Sequence, residues 1–112
     1  MASMYATKFE LDGFEVFRAG DGEEGLKVIK ENKPAIILLD VVMPKVDGFE
    51  VLSSIRANPE TAATPVILLT NLGQRSDIEK GLSLGATDYK IKANYSPSQV
   101  VAKVKEHLHI NT

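Results

Sequence analysis

Ala35-Ile36-Ile37-Leu38-Leu39-Asp40 is a run of five apolar residues that ends in a carboxylate. A strand with one face in water alternates apolar and polar side chains. An unbroken apolar run instead belongs to a strand covered on both faces, as in a parallel sheet. Thr64-Pro65-Val66-Ile67-Leu68-Leu69-Thr70 repeats the pattern and ends in a hydroxyl. Its proline sits at the start, where a strand tolerates the missing N–H. Between the two runs, Gly48 to Asn58 sets Phe49, Leu52 and Ile55 one helical turn apart, with Asp47 placed to cap the helix.

The alternation continues in both directions. Asp21 to Asn32 reads as a helix capped by Asp21, with Glu23 and Glu24 in its positive first turn and Leu26, Ile29 and Lys30 at helical spacing. Phe14 to Ala19 alternates apolar and polar and is expected to be a partly exposed strand. Ser76 to Leu84 is expected to be helical and to stop at Gly85. Thr87 to Lys92 follows as a shorter strand. Ser96-Pro97 opens a last helix, with Ser as cap and Pro at the first position. The apolar face of that helix is Val100, Val101, Val104 and Leu108. Near the start, Tyr5, Phe9 and Leu11 are expected to share one helix face, ended by Gly13.

Strands alternating with helices argue for a parallel sheet covered on both faces. Right-handed crossovers then bring the strand C-termini to one edge, where such folds bind ligands. Asp40, Thr70 and Lys92 are the residues that converge there. The chain has 112 residues, enough for a single domain over residues 1–112. With 44% hydrophobic and 25% charged residues, disorder and collagen-like repeats are excluded. No apolar run reaches the ~20 residues of a membrane-spanning helix. Absence of Cys excludes disulfides and thiolate metal sites and fits a reducing cytoplasm. A net charge of −2 and 6% aromatics speak against a direct nucleic-acid surface.

Asp40-Val41-Val42-Met43-Pro44-Lys45-Val46-Asp47-Gly48 resembles the phosphoacceptor segment of response-regulator receiver domains: an aspartate, two residues, Met-Pro, two residues, then Asp-Gly. Leu68-Leu69-Thr70 resembles that family's fourth strand, and Gly85 to Lys92 its fifth strand with an aromatic switch residue and a lysine. The resemblance runs in order along nearly the whole chain. It implies a flavodoxin-like three-layer α/β sandwich. It also implies two-component signalling, in which a histidine kinase or phosphotransfer protein supplies a phosphoryl group and a downstream protein reads the result. Asp40 is then the acceptor, Lys92 a fixed charge on the phosphoryl oxygens, and Thr70 with Tyr89 the switch. Asp40 and the carbonyl of Val42 would hold Mg²⁺. The chain would not be an enzyme beyond self-phosphorylation from small donors and self-dephosphorylation. His107 and His109 read as surface residues, neither ligands nor phosphodonors.

Two departures shape the expectations. The family begins with a central strand ending in an acidic pair that holds Mg²⁺, and no such strand precedes the first helix here. Weak Mg²⁺ affinity is therefore expected, together with a gap beside the Ala35–Asp40 strand. Bare strand edges invite pairing with another chain, so a homo-oligomer, most simply a dimer, is expected. The alternative is a truncated pseudo-receiver that is not phosphorylated and serves as an assembly module. A phosphatase using Asp40 is disfavoured because Val42 stands where such enzymes place a general-acid aspartate. The second departure is Ala93, where the family carries a cis proline. A cis bond before alanine costs ~3 kcal/mol, so a trans bond and a less firmly held Lys92 are expected.

Overall fold

Asp21, Asp47 and Ser96 each cap a helix as their positions predict. The Asp21 carboxylate accepts the Glu24 N–H at 2.9 Å and opens α2 (Gly22–Asn32), after α1 (Ser3–Leu11). Asp47 accepts the Glu50 N–H at 3.0 Å and opens α3 (Gly48–Ala57). α4 spans Arg75–Ser83. Ser96 and Gln99 cap each other's backbone N–H groups at the start of α5 (Pro97–His107), a reciprocal pair that satisfies two orphan donors. The structure, a computed structural model, describes residues 3–42 and 46–109. Met43, Pro44 and Lys45, the middle of the acceptor motif, lie outside the described residues.

The two apolar runs form neighbouring strands. β1 (Ile37–Leu39), β2 (Val66–Thr70) and β3 (Asp88–Ile91) make a parallel sheet in the order β1-β2-β3. Ile37 pairs with Val66, and Leu68 pairs with Tyr89. Because side chains alternate across a strand, the all-apolar β2 feeds two cores. Val66 and Leu68 join Ile29, Leu52, Ile55 and Tyr89 on one face. Ile67 and Leu69 join Tyr5, Phe9, Val100, Val101 and Val104 on the other. The sheet is thus covered on both sides, which is the three-layer arrangement expected. Among the described residues no helix is long and apolar enough to cross a membrane.

Two expectations need correction. Phe14 to Ala19 is not a strand. Its alternating pattern is compatible with extended chain, but a strand exists only through hydrogen bonds to a neighbour. Here a groove of about 200 Å³ separates the segment from β1. Phe14, Val16, Leu38 and Leu39 line it, with Tyr5 and Phe9 from α1. Across this groove Phe14–Ala19 has no hydrogen-bonded neighbour, so it stays outside the sheet. Leu11 does not share the face of Tyr5 and Phe9. It is 76% exposed while they are buried, because residues two apart lie on opposite sides of a helix.

The sheet edge remote from Asp40 is tied by one side chain. Arg56, in the last turn of α3, donates from Nε to the Gly85 carbonyl at 2.8 Å and from Nη1 to the Thr64 carbonyl at 2.7 Å. Those carbonyls belong to the segments leading into β3 and β2, so α3 and both strands share one anchor. Gly85, with φ of +103°, follows α4 as the sequence requires.

Candidate functional site

Asp40 leaves β1 at its C-terminal end. Its Oδ1 accepts the Val42 N–H at 3.0 Å, a local turn of the kind aspartate favours. Lys92 follows β3 and begins a short 3₁₀ turn, Lys92–Asn94. Its Nζ donates to Asp40 Oδ2 at 2.5 Å. Both side chains are largely covered, 16% exposed for Asp40 and 20% for Lys92. Thr70, the last residue of β2, is fully buried, and its hydroxyl lies close enough to the Asp40 carboxylate to favour its charged form. The three residues named from topology alone meet at one point. Lys90 is elsewhere, 3.3 Å from Asp88, so Lys92 is the cation of this site. The bond before Ala93 is trans, as expected, since no described peptide bond is cis. Lys92 nonetheless reaches the carboxylate directly.

The electrostatics follow from the contacts. Burial alone pushes the Asp40 carboxyl upward. The hydrogen bond from Lys92, the Val42 N–H, the Lys92 charge and the Thr70 hydroxyl together outweigh it and hold the carboxyl below its ordinary value. Asp40 is therefore ionised near neutrality.

Tyr89 stands inward. Its ring is only 9% exposed, and its hydroxyl donates to the Leu72 carbonyl at 2.7 Å. The Leu72 N–H in turn reaches Thr70 Oγ1 at 3.3 Å. The inward position of the aromatic residue thus exists without any rearrangement of Thr70. One contact escaped the sequence reading. His107 Nε2 lies 3.2 Å from Asp88 Oδ2, joining the end of α5 to β3. A lone histidine at a helix end carries no pattern pointing to a strand residue 19 positions earlier.

Residues 1–105 match the description "Response regulator receiver domain". The chain belongs to the response regulator receiver domain family. It is 43% identical over 96 residues to the alkaline phosphatase synthesis transcriptional regulatory protein PhoP of Bacillus subtilis, covering 86% of this chain and 39% of PhoP. It is 35% identical over 105 residues to the DNA-binding dual master transcriptional regulator RpaA of Synechocystis, covering 94% of this chain and 43% of RpaA. The chain thus spans about two-fifths of the length of these relatives. Among solved structures, the Francisella response regulator 1452 receiver domain superposes with a TM-score of 0.83 at 33% identity, over 94% of this chain and 84% of that one. The BeF3-activated N-terminal receiver domain of Klebsiella pneumoniae RstA gives 0.86 at 27% identity, over 95% and 87%. The receiver fold expected from the sequence is the fold observed.

Receiver domains generally bind Mg²⁺ at the phosphorylation site. Among the described residues, no three carboxylates or imidazoles cluster to hold a metal ion. Among the described residues, the Asp40 carboxylate is an oxygen donor of the kind Mg²⁺ takes. Mg²⁺ demands six oxygens in octahedral array and keeps waters where protein ligands are few. The carboxylate at this edge fits such an ion.

A pH dependence follows. Asp40 has a folded-state pKa below its unfolded value, and so does Asp88, where burial is outweighed by His107, the Tyr89 N–H and Lys90. A group shifted down binds fewer protons when folded, so its stabilisation is present above the unfolded pKa and lost as pH falls through the folded one. Stability should therefore hold between about pH 5 and 7 and fall below about pH 4. Urea unfolding across that range should show a shallower acid decline in Asp88→Asn than in the native chain.

Proposed function

We propose that this receiver domain accepts a phosphoryl group on Asp40 from a phosphohistidine of a histidine kinase or phosphotransfer protein. The observation that carries the reading is the ionised Asp40 carboxylate, bonded to Lys92 Nζ at 2.5 Å beside the buried Thr70. A carboxylate oxygen of Asp40 attacks phosphorus, the P–N bond to the imidazole breaks, and the new P–O bond makes an acyl phosphate. The ring nitrogen keeps the electron pair of the broken bond. Lys92 is then released from the carboxylate to the phosphoryl oxygens, where its charge offsets the charge that develops during transfer. Asp40 and the Val42 carbonyl would hold Mg²⁺, which supplies further charge neutralisation when bound.

Thr70 has the hydroxyl to bond the phosphoryl group once it is present. Doing so disturbs the bond from the Leu72 N–H, and Leu72 is the residue that Tyr89 holds. Thr70 and Tyr89 thus act together as the switch, and a downstream protein reads the change. Nucleic acid is reached through a partner rather than by this module, whose net charge is −2. The site is cytoplasmic and makes no membrane contact. The chain is not an enzyme on external substrates, its chemistry being limited to its own aspartate.

Incubating the chain with Mg²⁺ and acetyl phosphate, then reading intact mass, tests this. One phosphoryl adduct, stable in acid and labile in base, is expected. No adduct at any Mg²⁺ concentration defeats the proposal.

The groove beside β1 supports self-association. An apolar edge strand facing an open groove offers pairing sites to a second copy. Light scattering should report a dimer at high concentration, shifting toward monomer on dilution. A monomer at every concentration overturns this part.

A further inference from the structure

α4 touches the sheet through a residue with no side chain. Gly81 is its buried position. A Cβ built there would lie 2.6 Å from Leu68 Cδ1, 3.0 Å from Tyr89 Cδ2 and 3.2 Å from Tyr89 Cε2. The first distance is closer than carbon atoms tolerate, the two to Tyr89 are tight enough that the ring must give, and Leu68 is fully buried in the middle of β2, with little space to retreat. The helix backbone therefore presses on the Tyr89 ring from one side while Leu68 supports it from another.

The geometry points to Gly81 as the positioning residue for Tyr89: its bare Cα lets α4 close on the ring and keeps the ring in the core. Two consequences follow from the bonds already described. With the ring seated, the Tyr89 hydroxyl reaches the Leu72 carbonyl, and the Leu72 N–H reaches Thr70. The residues from Thr70 through Leu72 and Tyr89 to Gly81 form one continuous line of contacts. It runs from the acceptor carboxylate to α4. Beyond Gly81, α4 rests on the partly buried Ile78 and on Lys80, which lies over the Phe49 ring at 4.6 Å to its centroid, while Leu82 is 49% exposed.

The meaning for signalling rests on the acceptor reading above. The test needs no phosphoryl group, so the two ideas fail separately. In the intact 112-residue chain, Gly81→Ala should shift the Tyr89 ring resonances toward those of an exposed tyrosine. It should also speed amide exchange in residues 72–83 by about tenfold, with β1 and α5 unchanged. Should Gly81→Ala fail to fold, the same readouts in Leu68→Val/Gly81→Ala decide the matter, because that pair removes the collision with Leu68 and leaves the one with Tyr89. A Tyr89 ring that stays buried in the alanine variant overturns the assignment. So does exchange that rises equally in α4, α5 and β1.

Discussion

Asp40→Asn should abolish the phosphoryl adduct. The amide is nearly the same size and keeps an oxygen for the Val42 N–H, so the turn after β1 should persist. What it lacks is the negative charge that makes a carboxylate oxygen nucleophilic enough to form the acyl phosphate. Lys92→Ala should act differently. The nucleophile remains, but the cation that offsets charge on the transferring oxygens is gone. Loss of one such preorganised group costs on the order of 10²–10³ in rate. Lys92→Arg should rescue little. The Nζ sits 2.5 Å from Asp40 Oδ2 in a site where both partners are largely covered, and a planar guanidinium cannot occupy the place of a compact ammonium. Intact mass against time with acetyl phosphate separates the cases: no adduct for Asn, slow accumulation for Ala and Arg. Full-rate labelling of Lys92→Ala would remove Lys92 from the chemistry. Any labelling of Asp40→Asn at the native rate would place the acceptor elsewhere.

The site was legible in the sequence because it depends on topology more than on contacts. Three runs that end in Asp40, Thr70 and Lys92 must bring those ends together if the strands are parallel and adjacent. The register Ile37 to Val66 and Thr70 to Ile91 delivers that result. Helix caps were legible for a related reason: Asp21, Asp47 and Ser96 act on N–H groups only three residues away. What stayed hidden depends on neighbours distant in the chain. Phe14–Ala19 has a strand-like pattern, yet a pattern cannot supply the missing partner across the groove. Lys92 is firmly engaged although Ala93 removes the loop-shaping proline, because a direct bond to Asp40 anchors it from the other end. The His107–Asp88 contact and the Gly81 seat arise from how helices settle on the sheet. Neither leaves a periodicity to read.

Gly48→Ala should damage both stability and the site, and here sequence and mechanism meet at one atom. Gly48 opens α3 immediately after Asp47 and donates its N–H to the Val41 carbonyl at 2.9 Å. A Cβ at this position would stand 2.2 Å from the Asp40 carbonyl oxygen and 2.6 Å from Val41 Cα. Both are backbone atoms, which cannot rotate away as a side-chain tip can. Either α3 backs off, exposing Phe49, Leu52 and Ile55, or the Asp40–Val41 backbone shifts and carries the acceptor with it. Overpacking of this kind costs about 1–3 kcal/mol, and more when the backbone itself is the obstacle. Urea unfolding should show a loss of about 3 kcal/mol. Labelling of the fraction that remains folded should slow as well, since a misplacement near 1 Å at a reacting group costs on the order of 10² in rate. A Gly48→Ala chain with native stability and native labelling would mean that α3 does not press against the acceptor loop.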